Sequence, residues 1–286
     1  MKTYCISNRK GGVGKTTTTV NLGTVPALAG KKVLIIDMDP QGNATQTFRC
    51  NNYEDENQAD INDVLFNGVD IHKAIVHSEF YGIDVLPNNK KVRNPGEYFN
   101  DLYEKSERDS HKIVLRDALH AVADEYDYAF IDTNPSGGTM VDIQLTASDY
   151  VLIPVDVSGY SSDGISDELE DFYNVQDTFN PNLELKGVVL GDVNPRTNLT
   201  ATRQQGYGKL LDNLALKTMI RHDGNLQTSS SLYEPLFSYR KKVNGCSDYI
   251  NLAYELGIIS YEECELLKKE YVKTVNLRKV SKKGRR

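Results

Sequence analysis

A glycine-rich run near the start of the chain, KGGVGKTTT at residues 10–18, restricts the possible folds more than any other feature. The preceding residues 4–7 have the apolar character of a short buried strand, and helical spacing begins after Gly14. A glycine-rich turn between a strand and a helix points backbone N–H groups inward, beside the positive end of the helix dipole. The run therefore predicts a phosphate-binding loop in an α/β fold.

This loop differs from the common phosphate-binding pattern G-x-x-x-x-G-K-[ST]. Arg9 stands where that pattern requires glycine, and Lys10 adds a second lysine to the loop. Lys15 is expected to reach the β and γ phosphates of a nucleotide, and the Thr16 hydroxyl is expected to bind Mg²⁺. The alternative is a glycine-rich turn that binds nothing. The predicted nucleotide-binding residues in this run are Lys10, Gly11, Gly12, Val13, Gly14, Lys15, Thr16 and Thr17.

Two later apolar runs end in aspartates, which favours a nucleotide site over an empty turn. The run at 33–36 is continuous, which suits a parallel strand covered on both faces, and it leads into Asp37 and Asp39. The run at 128–131 ends in Asp132 in the manner of a Walker B strand. Ligands of open α/β sheets collect at the carboxyl ends of strands, so these aspartates should face the phosphates. The predicted metal ligands are Thr16, Asp37 and Asp132.

The remaining sequence alternates between strand and helix patterns. Strands are predicted near 3–7, 32–38, 83–87, 128–132, 150–155, 185–190 and 216–220. Helices are predicted near 15–29, 111–124, 139–147, 162–179, 200–214, 247–256 and 260–274. This order indicates a mostly parallel, twisted sheet flanked by helices on both faces, as in P-loop NTPases. We expect residues 1–275 to form a single ATPase domain, followed by a basic tail at 276–286.

Four segments together resemble the ParA/Soj family of DNA-partition ATPases. They are KGGVGKTTT at 10–18, DMDPQGNAT at 37–45, YAFIDTNPSGG at 128–138 and NPRTNL at 194–199. The first segment alone is shared with MinD-like, nitrogenase-iron-protein-like and tyrosine-kinase-like ATPases, so the second and fourth segments narrow the resemblance. It covers nearly the whole chain, at lower density up to residue 256.

The resemblance implies an ATPase that uses ATP and Mg²⁺ and closes as a sandwich homodimer. It makes Lys10 the signature lysine that reaches the nucleotide of the other subunit, and it makes Asp39 the residue that positions the attacking water. The implied catalytic residues are Lys10, Lys15 and Asp39. The implied partners are nonspecific duplex DNA, contacted by Arg196, and a ParB-like centromere-binding protein that stimulates hydrolysis.

The chain departs from the family pattern at two places. Asn134 replaces the first of two prolines that follow the Walker B aspartate in many relatives, which changes the expected stiffness of that loop. Asn225 stands where the family usually has an additional DNA-contacting arginine, and the nearby basic triplet 240–242 is a candidate replacement or a solvated face. The predicted DNA contacts are Arg196, Arg221, Arg240, Lys241 and Lys242. The predicted adenine contacts are Asp192 and Asn194.

The charge distribution bears on the alternative functions. The chain has a net charge of −7, yet residues 271–286 contain seven basic residues and no acidic one. This tail is either a solubilising end or a source of extra phosphate contacts. The main alternative function is a MinD-like membrane-associated regulator, but the tail lacks the bulky apolar cluster that membrane insertion requires. A chaperone or regulator that uses the same dimer is a third possibility.

Three absences in the sequence complete the expectations. The first strand begins near residue 2, which leaves no room for an N-terminal helix-turn-helix domain, so any DNA binding should be nonspecific. The four cysteines have no C-x-x-C spacing, so we expect reduced thiols and no nitrogenase-type cluster. Without a signal peptide or a membrane-spanning stretch, the protein is expected in the cytoplasm, associated with the nucleoid.

Overall fold

The structure is a computed structural model that describes residues 1–48, 57–89, 91–135, 137–156, 162–194 and 214–272. The strands of this part are β1 (Lys2–Ile6), β2 (Val33–Asp37), β3 (Val76–His77), β4 (Ile83–Leu86), β5 (Tyr128–Asp132), β6 (Tyr150–Asp156) and β7 (Glu184–Gly191). They form one sheet in the order β3-β4-β2-β5-β1-β6-β7. All neighbouring strands are parallel except β3 and β4, which places the carboxyl ends of β1, β2 and β5 side by side.

Helices connect these strands and cover both faces of the sheet. The first seven are α1 (Lys15–Leu28), α2 (Asn43–Thr47), α3 (Ile61–Asn67), α4 (Ile71–Ala74), α5 (Pro95–Leu102), α6 (Arg108–His111) and α7 (Val114–Ala121). The others are α8 (Thr139–Thr146), α9 (Ser162–Thr178), α10 (Gly224–Ser231), α11 (Leu236–Tyr239), α12 (Asn244–Glu255) and α13 (Tyr261–Tyr271). None of these described helices is both long and apolar enough to cross a lipid bilayer.

The alternation of side chains along the central strands separates the core into layers. Ile35 of β2 packs with α1, α12 and α13 on one face, whereas Ile36 packs with α3, α7 and α8 on the other. Helix α1 approaches the sheet closely at Gly23, where an added Cβ atom would lie 2.7 Å from Ile35 Cδ1 and 3.3 Å from Phe130 Cδ2. This close packing holds the amino end of α1 at the carboxyl edge of the central strands.

The sheet confirms the predicted fold class, and six of the seven predicted strands are present within a residue or two. The predicted strand at 216–220 is wrong: its neighbourhood makes only isolated parallel bridges, from Ala215 to Val188 and from Arg221 to Val193. Pairing at two separate points extends the sheet without a continuous ladder. The predicted helix at 200–214 falls outside the described residues, apart from its last residue.

Several short elements were not predicted. Strand β3 has two residues, too few for any periodic signal. Helix α3 is held by a capping box in which Asp60 and Asp63 exchange backbone and side-chain hydrogen bonds. Such helices depend on caps and on contacts with the sheet more than on a long apolar stripe.

Candidate active site

The phosphate-binding loop lies between β1 and α1 at the carboxyl edge of the sheet. Gly12 and Gly14 have φ angles of 75° and 90°, in the left-handed region where glycine is strongly favoured. Gly14 is the N-cap of α1 and supplies no side-chain cap, and the first turn of the helix contains no acidic residue. The first N–H groups of α1 therefore remain available for an anion, the kind of ligand that the sequence predicts for this loop.

Lys15 is held inside this loop. Lys15 is only 6% exposed, and its ammonium donates a hydrogen bond of 2.9 Å to the carbonyl oxygen of Lys10. Burial lowers the pKa of Lys15, while the carboxylates of Asp132, Asp39 and Glu168 favour its charged form. A cation fixed at this point by the loop itself is suited to phosphate oxygens, because no rearrangement is needed to present it.

The main chain of Lys10 is fixed at both ends. Its N–H donates to Asn8 Oδ1 at 2.8 Å, and its carbonyl accepts the hydrogen bond from Lys15. Asn8 in turn donates from Nδ2 to the Pro154 carbonyl at 2.8 Å, which anchors it to β6. The structure thus sets the point from which the Lys10 side chain leaves the loop.

Asp132 lies at the end of β5, directly beneath the start of α1. Its Oδ2 accepts a hydrogen bond of 2.8 Å from the Thr16 hydroxyl, and its Oδ1 accepts one of 3.2 Å from the Thr19 hydroxyl. The side chain is completely buried. The structure therefore brings together Thr16 and Asp132, two of the three residues predicted to form a metal site.

Asp37, the third predicted ligand, is the register partner of Asp132 on the neighbouring strand β2 and is also completely buried. Its Oδ2 accepts hydrogen bonds from the main-chain N–H and the hydroxyl of Thr45, both at 2.7 Å. Its Oδ1 accepts the N–H of Asp39 at 3.1 Å. Asp39 itself is partly exposed, and its own carboxylate accepts the N–H of Gln41 at 2.9 Å.

The two buried aspartates disfavour each other's charge. Burial raises the pKa of Asp37 to about 7, and the hydrogen bonds from Thr45 limit this rise because they favour the carboxylate form. Burial also raises the pKa of Asp132 well above its usual range, and the carboxylate of Asp37 adds to this effect. A divalent cation would relieve both penalties, and the hydroxyl and carboxylate oxygens present here are the ligand type that Mg²⁺ prefers. The residues therefore fit a magnesium ion.

The raised pKa of Asp37 has a consequence for stability without nucleotide. Because the pKa in the folded state lies above the ordinary value of 3.8, the folded chain binds more protons than the unfolded chain between roughly pH 4 and pH 7. The free energy of unfolding should then fall as the pH rises through this window. Urea denaturation gives the free energy of unfolding of Asp37→Asn and of the original protein at each pH. We expect the variant's value minus the original protein's value to be about 2 kcal/mol larger at pH 8 than at pH 5. A relative stability that does not change with pH would contradict this.

A cavity of about 410 Å³ opens beside the loop. Its walls come from the loop, the start of α1, the ends of β6 and β7, helix α10 and the segment before it, with Tyr249 of α12. Of the two residues predicted to contact adenine, Asp192 lines this cavity and Asn194 is not among its lining residues, and an adenine contact by either stays a prediction. Lining residues that were not predicted are Thr18, Pro154, Asp156, Val189, Gly191, Ile220, Asp223, Leu226, Gln227, Ser230, Ser231 and Tyr249.

The predicted DNA contacts lie in different places. Arg196 falls outside the described residues. Arg221 lines the cavity, and its Nε donates to both carboxylate oxygens of Asp248 at 3.0 Å. Its role in DNA binding stays a prediction, although its guanidinium already has a partner in this structure.

The basic triplet 240–242 lies near the position that departs from the family pattern. Arg240 Nη1 donates to Asn225 Oδ1 at 3.1 Å, so this arginine occupies the neighbourhood of the missing one. Lys241 pairs with Glu270, and Lys242 is exposed with a left-handed φ of 64°. The structure thus brings Arg240 to the place where a replacement contact was expected, and a DNA contact there stays a prediction.

Comparisons with known proteins decide the family. The family model of an AAA domain matches residues 1–185. The sporulation initiation inhibitor protein Soj of Bacillus subtilis is 35% identical over 256 residues, which cover 90% of this chain and 98% of Soj. The chain belongs to the ParA/Soj family. A second ParA/Soj relative, the chromosome partitioning protein ParA of Myxococcus xanthus, is 32% identical over 88% of this chain and 86% of its own.

Solved structures share the ParA/Soj fold. McdA from Cyanothece has a TM-score of 0.75 at 20% identity, over 93% of this chain and 99% of that one. MinD from Pyrococcus furiosus has a TM-score of 0.72 at 19% identity, over 91% and 99%. Cobyrinic acid a,c-diamide synthase from Mycobacterium smegmatis, solved with ADP and magnesium, has a TM-score of 0.70 at 25% identity, over 82% and 91%. The synthase structure contains a nucleotide and magnesium, the ligands that residues 10–18 predict for this chain.

Proposed function

We propose that this ParA/Soj protein is a Mg²⁺-dependent ATPase of DNA partition. Its ATP-bound homodimer binds duplex DNA without sequence preference, and hydrolysis, stimulated by a ParB-like centromere-binding protein, releases the DNA. The observation that carries the proposal is the placement of Lys15, Thr16 and Asp132 together at the amino end of α1. The relatives named chromosome partitioning protein ParA, at 30–32% identity, support the partition role.

Each part of the site has a role in this proposal. Lys15 and the free N–H groups of the loop bind the phosphates, while Thr16, Asp37 and Asp132 hold the metal ion. Bound Mg²⁺ neutralises charge that develops on the transferred phosphoryl group. Asp39 positions the attacking water from the partly exposed rim of the site.

Lys10 makes the site depend on two chains. Its main chain is fixed in the loop, so its side chain is available to reach the nucleotide of a second subunit. In a phosphoryl-transfer site, catalysis is mainly positioning and electrostatic stabilisation, and a second lysine supplies positive charge that a monomer lacks. ATP binding thereby promotes the association of two copies of the ATPase domain, residues 1–275.

DNA binding follows from the dimer in this proposal. Arg240, Lys241 and Lys242 are the described basic residues that would contact DNA, and the sequence offers Arg196 and the basic tail at 276–286 as further candidate contacts. Each such surface is weak by itself, because the chain carries a net charge of −7. Doubling the surface by dimerisation makes DNA affinity depend on ATP, and a nucleoid-associated location follows.

Co-sedimentation with duplex DNA tests the proposal. Binding is expected with ATP and Mg²⁺, and it should be lost with ADP or without nucleotide and weaken steeply as salt is raised. Arg196→Ala should weaken DNA binding while ATP binding is retained. Equal DNA binding in all three nucleotide states would overturn the proposal. ATP-dependent flotation with anionic vesicles, without DNA binding, would support the MinD-like alternative instead.

A further inference from the structure

Arg9, the residue that replaces the first glycine of the common loop pattern, makes an ion pair with α9. Its Nε donates to Asp171 Oδ2 at 2.7 Å, and its Nη2 donates to Asp171 Oδ1. The Asp171 side chain is only 11% exposed, and a second carboxylate, that of Asp167, lies 3.9 Å from Nη1. A two-point contact between a planar guanidinium and a sheltered carboxylate fixes orientation as well as distance.

The same helix also holds the main chain of Arg9. The N–H of Arg9 donates to Glu168 Oε2 at 2.9 Å. Glu168 is 1% exposed, and among the described residues its Oε1 has no hydrogen-bond partner. Burial raises the pKa of Glu168, while hydrogen bonds from Ser7 and from the Arg9 N–H and the charge of Arg9 favour its carboxylate form, so the contact with the loop offsets part of the cost of burial. Glu168 and Asp171 are three residues apart on α9 and hold one loop residue by its main chain and its side chain.

A third element meets Arg9 from the other side. The segment that follows β5 passes over the guanidinium at Gly137, where an added Cβ atom would lie 3.0 Å from Arg9 Nε and 3.2 Å from Cζ. A Cβ atom on Gly11 would lie 4.0 Å from Pro135 Cβ in the same segment. The phosphate-binding loop, α9 and the segment after Asp132 therefore meet at one arginine.

We infer that Arg9 is a positioning residue that fixes the point at which Lys10 leaves the loop and ties that point to α9 and the segment after β5. This role rests on the proposed function, because it concerns the lysine assigned to the second subunit's nucleotide. Lys10 follows Arg9 directly, and Asn8 on the other side is anchored to β6. Without the Arg9 side chain, the loop loses its two-point contact with Asp171, whereas the main-chain N–H can still donate to Glu168 and Lys15 keeps its own hydrogen bond, so turnover should suffer more than nucleotide binding.

Kinetics of Arg9→Gln, Asp171→Asn and the double variant test this role. We expect kcat for ATP hydrolysis to fall by about 10- to 100-fold in each, since a displacement near 1 Å can cost that much. The dissociation constant of ATP should change less than about threefold, because the contacts of Lys15 remain. The double variant should be no worse than either single variant, since both remove the same contact. Arg9→Lys keeps the charge but loses the two-point geometry, so its kcat should be intermediate.

Arg116→Gln is the matched control. Its side chain is 35% exposed against 33% for Arg9, and it also pairs with an aspartate, Asp117, but it lies on α7 away from the loop. This variant should hydrolyse ATP at the original rate. If Arg9→Gln lowers ATP affinity and kcat equally, together with the melting temperature, Arg9 has a merely structural role and the inference is wrong.

Hydrogen exchange gives a readout that does not depend on hydrolysis. In protein without nucleotide, Arg9→Gln should accelerate amide exchange at residues 8–11 and at 137–139, whereas Arg116→Gln should not. If the original protein hydrolyses no ATP, the proposed function fails, but faster exchange at both segments would still support the role of Arg9. Unchanged exchange at both segments, with normal turnover, would overturn it.

Discussion

Lys15→Ala should abolish nucleotide binding, with an ATP affinity at least about 100-fold below that of the original protein. The expected loss reflects two charge-assisted hydrogen bonds to phosphate, each contributing about 1.5 to 3 kcal/mol. The ammonium is already held in place by the Lys10 carbonyl, and alanine removes it from this point of the loop. Isothermal titration calorimetry with ATP and Mg²⁺ measures the change directly.

Lys10→Ala is the matched control for this experiment. It removes a lysine from the same loop, yet the contacts of the Lys10 main chain, including the carbonyl that accepts from Lys15, remain possible. ATP binding should therefore be largely retained, while ATP-dependent dimerisation or hydrolysis is lost. If Lys10→Ala dimerises and hydrolyses normally, the proposed two-chain site is wrong; if Lys15→Ala still binds ATP tightly, the phosphate site is wrongly placed.

Asp132→Asn should have opposite effects on catalysis and on stability. Hydrolysis is expected to fall by at least about 100-fold, because the metal loses a charged partner beside the Thr16 hydroxyl. The nucleotide-free protein should instead become more stable at pH 8, by about 1 to 3 kcal/mol, because asparagine avoids the free-energy cost of burying an ionisable carboxyl next to Asp37. Hydrolysis rates and urea denaturation of the same preparations give both values.

Asp127→Asn provides the comparison for Asp132→Asn. Asp127 immediately precedes the same strand at its other end, is exposed, and accepts the N–H of Lys32 at 2.8 Å. Its replacement should leave hydrolysis unchanged and cost at most a small amount of stability. A loss of stability in Asp132→Asn at pH 8 would mean that the hydrogen bonds from Thr16 and Thr19 stabilise the fold more than the buried carboxyl destabilises it. The interpretation of Asp37 and Asp132 as a site for a cation would then be wrong.

The residues predicted for the centre of the site lie together in the structure because they are close along the chain or stand at the ends of strong strand patterns. Continuous apolar runs that end in Asp37 and Asp132 indicate parallel strands covered on both faces, and their register places the two carboxylates side by side. The loop residues 10–17 need only local geometry. Interactions within a few residues of the chain can be predicted without knowledge of the fold.

The wall of the cavity was much harder to predict. Residues such as Ile220, Leu226 and Tyr249 are ordinary core or helix residues in sequence, and only the path of the chain after β7 brings them to the loop. The expectation of a strand at 216–220 also hid this path, because a strand would have placed alternate side chains on opposite faces of the sheet. The pairing of Arg221 with Asp248 likewise joins residues 27 positions apart that share no local pattern.

The central place of β1 in the sheet has a consequence for how the chain acquires its structure. The strand that carries the phosphate-binding loop is made long before its hydrogen-bonding neighbours, which are residues 128–132 and 150–152. Contacts between residues so far apart in sequence require long loops to close, and this entropic cost comes before the contacts stabilise the chain, which slows folding. During synthesis β1 therefore has no partner strand until about half of the chain has left the ribosome, and its buried apolar residues depend on chaperones or on α1 for cover in that interval.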